Sequence, residues 1–291
     1  MWQRVSSELK DKLNGTILSG VPPPAPDHLK FEIPEKESNY STNSIEYEQE
    51  MLNLLADDLP KDKSQPIVLE LECCEEFTDF KETENRLYTA LSQRTGHITV
   101  IINNGNSDEE FIQGLPADKL IFNEMDTLSN VIGPFHPRVK AVQVNDQWTG
   151  SEHSGFGTEV LFRPELEYLW IDTYLQGGYY HLSDTLSDDL ANEELAPNLK
   201  ELHLSIKGSM ESLNSLLNAI NNHKCLESCE IIWMLTDEER NLDKIDLNYA
   251  SKIDNFILVV QESDGEVESC PPGFESNESD LIFIKGWSTT Q

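Results

Sequence analysis

Apolar residues recur along most of this chain in short bursts at relative positions 1, 4 and 6, separated by longer polar or mixed stretches. The burst reads Val139/Val142/Val144, Leu166/Leu169/Ile171, Leu199/Leu202/Leu204, Leu226/Cys229/Ile231 and Ile253/Phe256/Leu258. Positions 4 and 6 lie two residues apart, the period of an extended chain, so each burst predicts a short strand with one buried face. Proline stands two residues ahead at Pro137, Pro164 and Pro197, where its fixed φ and missing N–H end the preceding segment. Weaker copies run backwards as Ala117/Leu120/Phe122 after Pro116, Ile98/Val100 after Thr95 and Leu69/Leu71 after Pro66; Leu281 and Phe283 extend the pattern forwards.

Between the bursts the period changes. Leu87, Ala90 and Leu91 in Glu84 to Arg94, and Leu213, Leu216, Leu217 and Ile220 in Met210 to Ile220, predict helical return segments. Gly150 to Gly157 and Tyr174 to Glu194 are irregular and polar, which predicts loops or single helical turns. Trp2, Val5, Leu9 and Leu13 predict a short amphipathic helix stopped by Asn14-Gly15. Residues 21–44, with Pro22-Pro23-Pro24, Pro26 and Pro34, read as an extended linker. A second helix is predicted from Ser44 to Leu59, with Asn43 and Glu46 placed as a capping box, and it is positioned to close the first repeat. Phe256 to Val260 and Leu281 to Ile284 are apolar at every position, as in strands covered on both faces, either by the segment Glu262 to Asp280 or by a partner.

The 1-4-6 phrase and its spacing resemble the leucine-rich repeat L-x-x-L-x-L-x-x-N over residues 66–284. The resemblance implies an α/β fold, a right-handed solenoid with a parallel concave sheet, preceded by a helical N-terminal cap. On this reading residues 1–62 form the cap with its Pro-rich linker and residues 63–291 the solenoid. The chain departs from the family at position 9. There the usual Asn is replaced by Cys74, Met125, Gln147, Tyr174, Lys207, Met234 and Gln261, with Asn103 alone conforming. The turns must therefore satisfy their backbone polar groups by other means.

Charge narrows the partner. With 53 acidic against 21 basic residues the formal net charge is −32. Nucleic acid binding depends on Lys/Arg neutralisation of phosphates, and Arg163 is the one base between Lys140 and Lys200. Direct nucleic acid contact and anionic membrane are thus disfavoured, and a basic protein is favoured. Five cysteines without framework spacing fit a reducing compartment, and Met1 to Glu8 lacks the apolar run of a signal peptide, so the expected location is cytoplasmic.

No constellation for chemistry emerges. The Gly150 to Gly157 stretch has no Lys-Ser/Thr, Cys225 and Cys229 have no second pair at zinc spacing, and Asp184, Asp188 and Asp189 lack calcium-loop spacing. The expectation is a non-enzyme without cofactor or metal. Positions 3, 5 and 7 of the central strands project away from the core, and these supply the candidate binding residues. They are Gln143, Asn145, Tyr168, Trp170, Asp172, Glu201, His203 and Glu230, with Asp146, Trp148 and Trp233 alongside. Aromatic anchors set among carboxylates match the composition of binding hot spots. The expected function is capture of a basic protein, as by an immunity or inhibitor protein that blocks a toxin or nuclease. The alternatives are an adaptor docking through the apolar C-terminal strands, or an enzyme whose site is assembled from distant residues.

Overall fold

A computed structural model describes residues 28–32, 53, 55–72, 81–103, 109–123, 135–145, 162–172, 182–192, 194–235, 245, 253–261, 275–277 and 280–285. Each predicted burst is a strand, and the strands join in one eleven-stranded sheet. In chain order they are β1 His28–Glu32, β2 Ile67–Glu72, β3 Ile98–Asn103, β4 Lys119–Phe122, β5 Ala141–Asn145 and β6 Tyr168–Asp172. Then follow β7 Glu201–Gly208, β8 Ser228–Leu235, β9 Asn255–Gln261, β10 Glu275–Asn277 and β11 Asp280–Lys285. From β1 to β9 each strand pairs parallel with the next in sequence. The chain is therefore α/β, built on an open sheet whose spatial order follows the sequence until its last two strands.

Register follows from the apolar phrase. Position 4 is matched strand by strand as Leu69, Val100, Leu120, Val142, Leu169, Leu202, Cys229 and Phe256. Position 6 forms a second row from Leu71 through Ile102, Phe122, Val144, Ile171, Leu204 and Ile231 to Leu258. Both rows are buried in one continuous core. A slip of one residue would turn every one of these side chains to the opposite face, so the core itself enforces the pairing.

The return helices are α1 Lys81–Ser92, α2 Glu109–Gly114, α3 Leu182–Ala191 and α4 Met210–Asn222. Leu87 and Leu91 of α1, Leu186 and Leu190 of α3, and Leu213, Leu216, Leu217 and Ile220 of α4 all enter the core against the strand rows. Helix α4 starts where Ser209, in extended conformation, accepts a hydrogen bond from the Ser212 amide at 3.0 Å.

Four expectations change. Residues 28–32, inside the predicted linker, form β1, because Leu29 and Phe31 alternate with polar residues and find β2 free to pair. The Tyr174 to Glu194 return contains the ten-residue helix α3, since Leu186 and Leu190 stand one turn apart and reach the core. Strand β11 runs antiparallel to β9, and β10 antiparallel to β11, so this end of the sheet closes as a hairpin and does not add another parallel coil. Asn103 is the fourth. The pairing of Val100 with Leu69 and Leu120 places Asn103 at position 7 and not position 9, so it projects away from the core. Of the predicted Ser44 to Leu59 helix, residues 53 and 55–58 are helical, with Leu55 and Leu59 in the core. The Trp2 to Leu13 helix and the Gly150 to Gly157 loop lie outside the described residues.

In the turns that lead into the strands, carbonyls are satisfied by side chains from neighbouring repeats. Arg94, 4% exposed, donates to the carbonyls of Pro60, Asp62 and Gln65 at 2.7, 2.9 and 2.9 Å. Arg138 donates to the Arg94 and Gly96 carbonyls at 2.9 and 2.7 Å and pairs with Asp118, whose Oδ2 also accepts from the Ile98 amide. Asn198 and His223 serve the Pro164 and Ala196 carbonyls in the same way. Gly96 lies so close to residues 64 and 65 that a Cβ would stand 2.5 Å from the carbonyl oxygens of Ser64 and Gln65.

Arg94→Ala is expected to lower stability by about 2 kcal/mol, because three part-buried carbonyls lose a charged donor and the buried side chain leaves a gap. Arg94→Lys recovers less than half of the loss, since one ammonium cannot span them. Urea midpoints with unchanged m-values test this; wild-type midpoints for either variant would show that the carbonyls find other donors.

Candidate functional site

The face of the sheet opposite the helices, here called the outer face, carries the projecting residues. Cross-strand pairing sets them in rows. One row is Thr99, Lys119, Ala141, Tyr168, Glu201, Ser228 and Asn255; the next is Ile101, Ile121, Gln143, Trp170, His203, Glu230 and Ile257. Neighbouring strands are about 4.8 Å apart, so each residue touches its partners in the row.

Across β2 to β5 the outer face is a run of hydrogen-bonded side chains. Lys119 Nζ donates to Gln143 Oε1 at 2.6 Å, Gln143 to Asn145 at 2.9 Å, and Asn145 to Asn123 at 3.2 Å. Asn123 donates to Asn103, and Asn103 to Glu70 at 2.8 Å. Primary amides carry both donor and acceptor, which lets a row of them hand hydrogen bonds from strand to strand. Lys119, itself 6% exposed, has no carboxylate bonded to it among the described residues, and burial lowers its ammonium pKa to about 8.

At β6 to β8 the character changes. The Trp170 indole lies against the His203 imidazole, ring centroids 4.1 Å apart and tilted by 41°. His203 Nδ1 faces Glu230 Oε2 at 2.7 Å, a pair with side chains only 8% and 7% exposed. Beside them Tyr168, Trp170, Asp172 and Glu201 remain half-buried. The Trp170 indole N–H and Glu201 Oε2 are sealed from water with no hydrogen-bond partner. Unpartnered polar atoms of this kind carry a free-energy cost and mark places where a further group belongs. Glu201 is also raised in pKa to about 7, first by burial and then by the Glu227 carboxylate. Lys200, the neighbouring base, is engaged with Glu167 at 2.6 Å. The Tyr168 hydroxyl is likewise raised, by burial and then by Glu201 and Glu167.

The predicted residues thus separate into groups. Gln143 and Asn145 belong to the amide run; Tyr168, Trp170, Asp172 and Glu201 form the half-open centre. His203 and Glu230 are buried, so they support Trp170 from beside it and are not themselves surface. Trp233 is misplaced by the sequence reading. It is fully buried in the core with its Nε1 donating to the Gly208 carbonyl at 3.1 Å, because it occupies position 8 of its phrase, in register with Ile206 and Val260. Asp146 and Trp148 lie outside the described residues. Lys119, Asn123 and Glu227 were missed, although the position-3 and position-7 rule applied to the weaker copy at Ala117 would have found the first two.

Other chemistry finds no setting among the described residues. No nucleophile is hydrogen-bonded to the His203 ring, and no group of three His, Cys, Asp or Glu side chains converges. Cys229 is buried in the core and its thiol pKa is raised, first by burial and then by Glu230, which makes it inert. Ile257 and Val259, on the outer face of β9, are 1% and 4% exposed within this chain, so β9 is not an open docking strip. No described helix is long and apolar enough to cross a membrane.

Glu201 gives the site a pH signature. Its pKa is raised from the ordinary 4.5 to about 7, so the fold holds its proton more tightly than the unfolded chain does. The stability it contributes is complete below pH 4.5 and is lost as pH rises toward 7. With the carboxylate half open to solvent the loss is about 1 kcal/mol. Urea titrations of wild type and Glu201→Gln are expected to diverge by that amount between pH 5 and pH 8, with the variant the more stable at pH 8. Parallel curves would mean the carboxylate is solvated like any other.

No family model matches the chain, and no curated protein matches it. Among solved structures it is similar to a Bacteroides fragilis protein known from a crystal structure, at 13% identity, over 72% of this chain and 69% of that one, with a TM-score of 0.36.

Proposed function

We propose that this chain is a non-catalytic binding protein, an irregular leucine-rich-repeat-like right-handed solenoid whose concave side is the outer face of the sheet, and that this face captures a basic protein. The observation that carries the reading is the half-open centre on β6 and β7. There Tyr168, Trp170, Asp172 and Glu201 stand together with an indole N–H and a carboxylate oxygen left unmatched. Rigid aromatic rings and carboxylates that stay half-exposed are what an interface desolvates to gain affinity.

Two further features support it. Strand order that follows chain order is how a coil of repeats stacks. A formal charge of −32 speeds encounter with a cationic surface and repels polyanions. Inhibition of a cytoplasmic toxin or nuclease fits this chemistry, since such proteins carry a basic nucleic-acid site that an acidic face covers.

Capture from the native host at low ionic strength is expected to yield a protein of high pI. Its association rate should fall by about tenfold or more between low and physiological salt. Trp170→Ala combined with Glu201→Lys is expected to weaken binding by about 100-fold, chiefly through faster release. Unchanged affinity in that double variant would remove the outer face from consideration.

A further inference from the structure

The unmatched atoms on β6 and β7 specify more than a general preference for cations. The Trp170 N–H is a donor and requires an acceptor; Glu201 Oε2 is a carboxylate oxygen and requires a donor. The two residues are diagonal neighbours, because Tyr168 pairs with Glu201 and Trp170 with His203. Such diagonals separate Cβ atoms by roughly 7 Å, a span that one amino-acid residue bridges. Tyr168 shares the corner, and Glu227 is the second carboxylate acting on Glu201. The nearest base, Lys200, is hydrogen-bonded to Glu167, and only its charge reaches Glu201 and Glu227. Among the described residues no basic side chain is bonded to Glu201 or Glu227.

Resting on the reading of this face as a site for a basic protein, we propose that the corner formed by Tyr168, Trp170, Glu201 and Glu227 is the seat of a single arginine residue of that partner. Arginine supplies every feature that the corner lacks. Its guanidinium presents a planar fork of five N–H donors and a fixed positive charge to the Glu201 and Glu227 carboxylates. The same plane lies against aromatic faces such as those of Tyr168 and Trp170. Its main-chain carbonyl accepts the indole N–H. Lysine offers the charge without the fork or the plane, and citrulline offers a similar shape without the charge.

His203 and Glu230 make the seat rigid. Their buried pair fixes the imidazole, and the imidazole fixes the indole at 4.1 Å. Seating a cation requires Glu201 in its charged form, so the proton that burial and Glu227 retain on it near neutral pH leaves as arginine enters. The other titratable groups around the corner are Glu167 and Tyr168 before and on β6, Lys200 before β7, His203 on β7, and Glu227 and Glu230 before and on β8. The pH response is therefore assigned to Glu201 only insofar as a Glu201→Gln variant abolishes it.

The test uses the full chain with 15N-labelled tryptophan and three capped peptides, acetyl-Gly-Xaa-Gly-amide with Xaa as arginine, lysine or citrulline. Trp170→Phe identifies the Trp170 indole N–H signal. The arginine peptide is expected to move that signal saturably, binding at least fivefold more tightly than the lysine peptide and tenfold more tightly than citrulline. Its affinity should rise several-fold from pH 6 to pH 8. Glu201→Gln should remove both the preference and the pH response, while Glu211→Gln, an exposed acid on α4, changes neither. The proposal is overturned if the Trp170 signal is unmoved, if arginine and lysine peptides bind alike, or if Glu211→Gln has the same effect as Glu201→Gln. A basic protein that loses binding to the Trp170→Ala chain while the arginine peptide leaves the indole unmoved would retain the face and discard the arginine seat. Loss of neither would discard both.

Discussion

Parallel pairing of each strand with the next one in the chain is the constraint on which the rest of the molecule depends. It holds because two apolar rows, from Leu69 to Phe256 and from Leu71 to Leu258, must both stay in the core, and a one-residue slip at any strand would expel its members. The same register then dictates the opposite face with no further freedom. Once Leu169 and Ile171 point inward, Tyr168, Trp170 and Asp172 must point outward, and β7 must set Glu201, His203 and Ser205 beside them. The candidate site is thus a consequence of core packing and not a separate construction.

Polar satisfaction divides the outer face into two regions. From β2 to β5 the projecting side chains hand hydrogen bonds from one to the next, from Lys119 through Gln143 and the asparagines to Glu70, which leaves little capacity for a guest. From β6 to β8 the described residues include the buried His203–Glu230 pair, the Trp170–His203 ring contact, and the unmatched Trp170 N–H and Glu201 Oε2. Groups whose local rules are broken inside an otherwise consistent sheet are where binding is expected to reside. The turns before the strands show the opposite economy, with Arg94 and Arg138 satisfying several carbonyls each.

Much of this was legible before any coordinates. Central strands, their buried positions 4 and 6, helices α1 and α4, and the outward residues Gln143, Asn145, Tyr168, Trp170, Asp172 and Glu201 follow from periodicity, because an extended chain has only two faces. Errors arose where periodicity was silent on register. Counting Asn103 from Thr95 puts it two residues out of step, since Ile98, Val100 and Ile102 are all apolar and both Ile98/Val100 and Val100/Ile102 fit positions 4 and 6. Trp233 was grouped with the outward aromatics although it stands an even number of residues from Cys229 and shares its face. Strand β1 and helix α3 were hidden because each sets a few apolar residues, Leu29 and Phe31 or Leu182, Leu186 and Leu190, in a polar sequence.

By itself the sequence determined which residues are interior, that the elements are strands with helical returns, and that the protein's field is strongly negative. These are properties of local pattern and of summed charge, which do not depend on how the elements meet. Only the tertiary structure decided which side chains become neighbours. It set Trp170 on His203, buried Glu230 beside it, brought Glu227 to bear on Glu201, and turned the last two strands back as a hairpin. Those side-chain contacts join residues about 30 positions apart, and they exist because strand pairing, not chain proximity, sets their strands about 4.8 Å from one another.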